Sequence, residues 1–292
     1  MRDKVVLVTG ATNGIGEVTA RELARMGATT IIVGRNETKA QQVVETIKQQ
    51  TGNAQVDYLI GDLSVMDQVR QVADAFKTKY DRLDVLVNNA GAMFTSRHLT
   101  SDGYEMTFAL NHLNYFLLTN LLLDLLKASG TPESKARVVN VSSAVHTSAK
   151  MDFDNLNGEK SFNAINAYAL SKLENVIFTY ELARRLKKDG ASVTVNALHP
   201  GVVSTGFGKN NDGFIGGLAK IATTLMRPMQ ISPEKGAETS IYLASSPQVE
   251  NVSGRYFDKS KQKESSAESH NRDYWLRLWE ISEELTGLKQ HA

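Results

Sequence analysis

Short runs of aliphatic and β-branched residues alternate with longer helical patterns along almost the whole chain, and this alternation most narrows the possible folds. Strand-like runs fall near residues 4–9, 29–34, 56–60, 84–88, 137–141 and 192–198, and helical patterns near 14–26, 37–50, 65–79, 103–128, 163–188 and 233–245. Repeated in that order they predict a parallel sheet with helices on both faces. Val5-Val6-Leu7-Val8, Thr30-Ile31-Ile32-Val33 and Val138-Val139-Asn140-Val141 are continuous runs without in-out alternation, as strands covered on both sides require. The expected fold is α/β: a single doubly wound parallel sheet over residues 1–257. Residues 258–273 are polar and read as a solvated connection. It leads to a C-terminal helix within 258–292, whose Tyr274, Trp275, Leu278, Trp279, Ile281 and Leu285 form a side that docks on the same domain.

Glycine and polar clusters gather where the strands end: TGATNGIG (9–16), GRN (34–36), GDL (61–63), NNAG (88–91), NVSS (140–143) and NALHPG (196–201). In a doubly wound sheet these ends form one crevice, and ligands bind there. Gly10, Gly14 and Gly16 stand between the first strand and the first helix, where missing β-carbons let a pyrophosphate approach the backbone and the helix N-terminus. This is the outline of a Rossmann-type dinucleotide site, although glycines alone also suit a tight turn with no ligand. The spacing is not G-x-G-x-x-G, and Glu17 stands where a nucleoside-triphosphate loop requires lysine. On the second strand Arg35 occupies the place where an acid would accept from a ribose 2′-hydroxyl. A guanidinium there suits a 2′-phosphate, so NADP(H) is favoured over NAD(H); the alternative is a solvated helix-entry residue.

Composition excludes several other classes. The net charge is +1, which offers no field for nucleic acid or anionic membranes. Zero cysteines remove disulfides and thiolate chemistry and fit a reducing, cytoplasmic location. The six histidines show no metal-ligand spacing, and no metal site is expected. Leu113–Leu126 is broken by Asn114, Asn120 and Asp124 and reads as a buried helix, so stable membrane insertion is not expected. Val5–Thr9 is too short for the apolar core of a secretion signal.

Tyr168 and Lys172 lie one helical turn apart and share a face. A nearby ammonium would bring a phenol toward its working range as a general acid-base, though most such pairs are simply solvated. The motifs TGATNGIG, NNAG, NVSS, Tyr168-x-x-x-Lys172 and HPG, in this order, resemble the short-chain dehydrogenase/reductase family over about residues 4–257. FALNHLNYFLLT (108–119), SKLENVIFTYELARRLK (171–187) and WEISEELTG (279–287) resemble its retinol dehydrogenase branch, which also contains protochlorophyllide reductases. The resemblance implies catalytic roles for Asn111, Ser143, Tyr168 and Lys172, with Ser142 structural. It implies cofactor contacts from Thr9, Gly10, Thr12, Asn13, Gly14, Ile15, Gly16, Arg35, Asn36, Asp62, Leu63, Asn89, Ala90, Gly91, Tyr168, Lys172, Pro200, Gly201, Val203 and Thr205. Asn114 stands where this branch often has glycine, and His199 reads as structural or cofactor-lining.

The interval from Ser143 to Tyr168 is long, and the insertion carries His146, Met151, Phe153 and Phe162, expected to shape substrate recognition. Beyond HPG, apolar residues from Phe214 to Met229 recur at helical spacing after several glycines. They suggest an apolar lid over about 202–232, or equally a helix packed on the core. The expected activity is NADP(H)-dependent interconversion of an alcohol and a carbonyl, with a lipophilic small-molecule substrate. The alternatives are a catalytically silent NADP(H) scaffold or redox sensor and a light-dependent protochlorophyllide-type reductase. A homodimer or monomer is expected from the long helices and the terminal extension.

Overall fold

Eight strands form one sheet in the computed structural model, which describes residues 1–201 and 231–288. They are β1 (Val5–Thr9), β2 (Thr29–Gly34), β3 (Val56–Ile60), β4 (Val85–Asn88), β5 (Ala136–Val141), β6 (Val193–His199), β7 (Arg255–Asp258) and β8 (Lys261–Lys263). Their order is β3-β2-β1-β4-β5-β6-β7-β8, parallel except for β8. The winding reverses between β1 and β4, so the connections leaving these strands diverge and open a crevice at their C-terminal ends.

The helices are α1 (Gly14–Arg25), α2 (Glu37–Thr51), α3 (Met66–Lys79), α4 (Met106–Phe108), α5 (Asn114–Leu121), α6 (Leu123–Ser129), α7 (Ala164–Lys188), α8 (Pro233–Ser245) and α9 (Arg272–Leu285). Side chains alternate along β1. Val6 and Val8 pack with Ala20, Leu23, Val43, Ile47 and Leu243, whereas Leu7 packs on the opposite face in the core that holds Phe76, Phe116 and Phe178. Both faces are therefore buried, which explains the unbroken apolar runs. Each fully buried side chain of this size contributes about 1.5–3 kcal/mol of transfer free energy.

Two expectations differ from the structure. The helix expected over 103–128 is segmented: a π turn, Ala109–Leu113, joins α4 to α5, and the chain loosens again at Leu122. The wider turn carries Asn111 and is stabilised from outside the helix, as described below. The polar stretch after Asp258 is not simply a solvated connection. Lys261–Lys263 pairs antiparallel with β7, and the expected boundary at 257 falls inside that strand. An exposed edge strand is held by its backbone, so its side chains carry no apolar signature.

Helix α9 docks through Leu278 and Trp279, both buried. The Trp279 ring lies 4.9 Å from that of Phe116, and the Arg185 guanidinium lies 4.0 Å over it. His112 Nε2 and Ser282 Oγ form a buried hydrogen bond of 2.9 Å. Among the described residues no helix is long and apolar enough to cross a membrane.

Candidate active site

The glycine loop is shaped by close approach. Gly10 and Gly14 have φ of +62° and +57°, where side chains are strained. A β-carbon on Gly10 would meet Ala90 Cα at 2.7 Å, and one on Gly16 would meet Asn89 Nδ2 at 2.4 Å. Asn89 Nδ2 donates to the carbonyls of Thr9 (2.9 Å) and Gly10 (3.2 Å). Thr9 Oγ1 accepts from the backbone N–H groups of Asn89 and Ala90. The ends of β1 and β4 are thus tied together directly under the loop. Asn13 precedes α1 in extended conformation and its side chain makes no capping bond. First-turn N–H groups without a side-chain cap, approached through glycine, fit the pyrophosphate of a dinucleotide. Ile15 belongs to that first turn, and Thr12 Cγ2 would lie 2.4 Å from a β-carbon on Gly34, which sets the loop against the end of β2.

Arg35 follows β2 with 57% of its side chain exposed, and its Nη1 lies 3.7 Å from Asp62 Oδ2 beyond β3. Asp62 Oδ1 accepts from both the backbone N–H and the hydroxyl of Ser64, so the carboxylate is fixed while the guanidinium can pivot. Leu63 beside it is buried. Asn36, expected to line the cofactor, caps α2 by accepting from Lys39 N at 2.8 Å. Pro200 and Gly201 follow β6 at the same sheet edge, and Gly201 has φ +89°. Val203, Thr205 and all but the end of the expected lid lie outside the described residues.

The expected catalytic residues come together. Ser143 ends the β5 connection, caps the short turn Ala144–Ser148 and hydrogen-bonds the Tyr168 side chain. One turn along α7, Lys172 is 3% exposed. Its Nζ donates to Val141 O at 3.0 Å and lies 5.7 Å from the Tyr168 ring centroid. Burial pushes the Tyr168 phenol up to about 12, against the lowering effect of its Ser143 bond, and pulls the Lys172 ammonium down to about 7. The expected lowering of the phenol by the lysine is not seen in this arrangement, because burial dominates and Nζ turns to a backbone carbonyl. The result is a neutral phenol at physiological pH, the form that donates a proton.

Asn111 fixes this group from the other side. Its Oδ1 accepts from Ala92 N and its Nδ2 donates to Ala92 O and Ser171 Oγ, each at 2.9 Å. A β-carbon on Gly91 would fall 3.1 Å from Asn111 Oδ1 and 3.3 Å from Lys172 Nζ and would press on both groups. Ser142, read as structural, donates to Lys172 O at 2.7 Å. Asn114 is buried and its Nδ2 donates to Leu110 O. His199 Nδ1 accepts from the N–H groups of Ala144 and Gly201 at the edge of the site. Asn88 and Asn140, inside the same motifs, sit in register on β4 and β5 and join Thr119 and Thr179 in a buried network.

Sequence reasoning passed over three neighbours. Ser171 and Ala92 receive the Asn111 amide, and the buried Tyr115 ring lies 5.6 Å from Lys172 Nζ. Tyr115 and Ser171 lie inside quoted motifs and Ala92 directly follows NNAG, but no local spacing gives them a role, because each is defined by a partner far along the chain. In the insertion, Met151 and Phe153 pack toward α7 and α9, with Phe153 5.5 Å from the Tyr274 ring. Among the described residues no group of three or more acidic or histidine side chains could hold a metal ion.

A glycine cradle for a dinucleotide beside a serine, tyrosine and lysine defines an oxidoreductase site. The sequence model described as short chain dehydrogenase matches residues 4–213. Human polyprenol dehydrogenase is 44% identical over 98% of this chain and 86% of its own length, and human retinol dehydrogenase 13 is 43% identical over 98% and 85%. The Pseudomonas aeruginosa RhlG/NADP active-site complex superposes with a TM-score of 0.70 at 27% identity, covering 88% of this chain and 94% of that one. The chain belongs to the short-chain dehydrogenase family, in its retinol dehydrogenase branch. It is an oxidoreductase acting on CH–OH donors, which sets aside the silent-scaffold reading.

Proposed function

We propose that the protein is an NADP(H)-dependent reductase of lipophilic aldehydes or ketones, with Tyr168 as general acid. The observation that carries this reading is the Tyr168–Ser143 hydrogen bond with Lys172 Nζ behind the ring. A dinucleotide held by the glycine loop would supply the hydride. Tyr168 then donates its phenolic proton to the substrate oxygen as negative charge develops there, and Ser143 Oγ donates a hydrogen bond to the same oxygen. Lys172, steadied by Val141 O, stabilises the phenolate left behind and returns a proton to it. Asn111 keeps the loop after β4 clear of that lysine. Run backwards, the same groups oxidise an alcohol.

Preference for the phosphorylated cofactor rests on Arg35. Changing Arg35 to Asp removes the charge partner of a 2′-phosphate and sets a second carboxylate beside Asp62. NADPH affinity is expected to fall about tenfold or more beyond any loss for NADH, consistent with one lost charge-assisted pair. Titration of both cofactors by fluorescence checks this, and equal losses would remove Arg35 from the 2′-phosphate.

Substrate polarity is read from the rim. Ile165 lies one turn before Tyr168 and is 66% exposed, and Val145, two residues after Ser143, is also exposed. Two apolar side chains standing in water beside the acid and the oxyanion donor favour an apolar substrate. The kcat/KM of the wild-type protein is therefore expected to climb from propanal to decanal, by up to about tenfold for each two methylenes buried. A flat or falling series would discard the lipophilic reading and leave the reductase intact.

A further inference from the structure

His146 is 1% exposed and sits inside the turn that Ser143 begins. Its Nε2 faces the backbone N–H of Ser266 at 3.1 Å, and its Nδ1 faces the carbonyl of Ser143 at 2.7 Å. A backbone N–H only donates and a carbonyl only accepts, so the two contacts demand one form of the ring: neutral, with the hydrogen on Nδ1. The ring also packs against Tyr256 of β7, with centroids 4.8 Å apart. On the other side of the turn His199 Nδ1 accepts from Ala144 N. The peptide joining Ser143 to Ala144 is thus held through its carbonyl by one histidine and through its N–H by another.

We propose that His146 is a positioning residue for the alcohol–carbonyl reaction, fixing the Ser143 turn to the segment that follows the β7–β8 hairpin. This rests on the reading of Ser143 given above. The sheet edge explains the design. Ser143 leaves β5 on a turn of five residues, and the 3₁₀ turn alone would let its hydroxyl swing. Ser266, which precedes the turn Ala267–His270, is anchored through Ser269 Oγ to Ser266 O and through Trp275 Nε1 to Ser269 O. Docking of α9 is thereby connected to the oxyanion donor through three side chains.

Substitutions at His146 separate positioning from filling space. An asparagine amide nitrogen reaches the place of Nδ1 and keeps the donor to Ser143, whereas a glutamine oxygen reaches the place of Nε2 and keeps only the acceptor for Ser266. With saturating NADPH and decanal as probe, His146→Ala is expected to lower kcat about 10–100-fold with unchanged KM for NADPH, the scale of a misplaced catalytic group. His146→Asn is expected to recover most of that loss and His146→Gln little, with Tm measured for each. Ser266→Pro, which φ −65° accommodates, removes this N–H together with a hydroxyl that has no hydrogen-bond partner among the described residues and sets the proline Cδ against Nε2, so kcat is expected to fall in this variant too. Wild-type kcat in His146→Ala, or Asn and Gln variants equally impaired at equal Tm, overturns the proposal. Wild-type kcat in Ser266→Pro cuts the connection to the C-terminal segment. If the wild-type protein does not reduce decanal, the lipophilic-substrate reading fails instead; 15N NMR of the imidazole at pH 7.5 then decides, the Nδ1–H tautomer supporting the clamp and the Nε2–H tautomer refuting it.

Discussion

Tyr168→Phe lowers kcat for carbonyl reduction about 10²–10⁴-fold, the range a positioned general acid supplies, while NADPH binds with unchanged affinity. The ring stays where the α7 packing holds it, so the pocket keeps its shape. What disappears is one hydroxyl, and with it the only proton that Tyr168 can deliver to the developing alkoxide. Ser143 keeps its bond from Val145 N and can still donate to the substrate oxygen, so residual turnover measures the oxyanion contribution alone. Single-turnover hydride transfer, followed by loss of NADPH absorbance, gives the chemical step; a fluorescence titration gives the affinity. Turnover near the wild-type value on an accepted aldehyde would sink Tyr168 as the acid and with it the mechanism proposed here.

The parts of this site that could be read from sequence are those whose physics is local. Gly10, Gly14 and Gly16 announce a backbone that must approach something closely, and the structure shows what on the protein side forbids a β-carbon: Ala90 Cα and the Asn89 amide. Tyr168 and Lys172 share a helix face by spacing alone. Val5–Val8 reads as a doubly covered strand because both faces of β1 are apolar. The π turn at Ala109–Leu113 could not be read this way, since the Asn111 amide that accompanies it bonds Ala92 and Ser171, 19 and 60 positions away. The β7–β8 hairpin was hidden for a related reason. Lys261 and Lys263 are exposed, and backbone pairing with Asp258 and Tyr256 leaves no mark on side-chain pattern. His146 was visible as a histidine in an insertion, but its tie to Ser266 spans 120 positions.

Lys172→Met is expected to lose activity and gain stability together. Lys172 is buried with its ammonium against one carbonyl, and burial drops its pKa from 10.5 to about 7. Below pH 7 folded and unfolded chains both carry the proton, and the whole cost of burying the charge is present. Between about pH 7 and 10.5 the unfolded chain binds a proton that the folded chain does not, so this lysine's penalty shrinks as pH rises and vanishes above the unfolded value. Methionine has similar length and no charge, and it pays none of this at any pH. The Tm of Lys172→Met should exceed that of the wild type by about 3 °C or more at pH 6.5, and the gap should close as pH approaches 10. Activity moves the other way: without the ammonium nothing stabilises the Tyr168 phenolate or returns its proton, and kcat should fall about 10²-fold or more. Thermal scans at several pH values, paired with single-turnover rates, read both effects on the same samples. A Tm difference that grows with pH would mean that Lys172 is held charged by a partner stronger than Val141 O, and an active Met variant would remove it from the proton path.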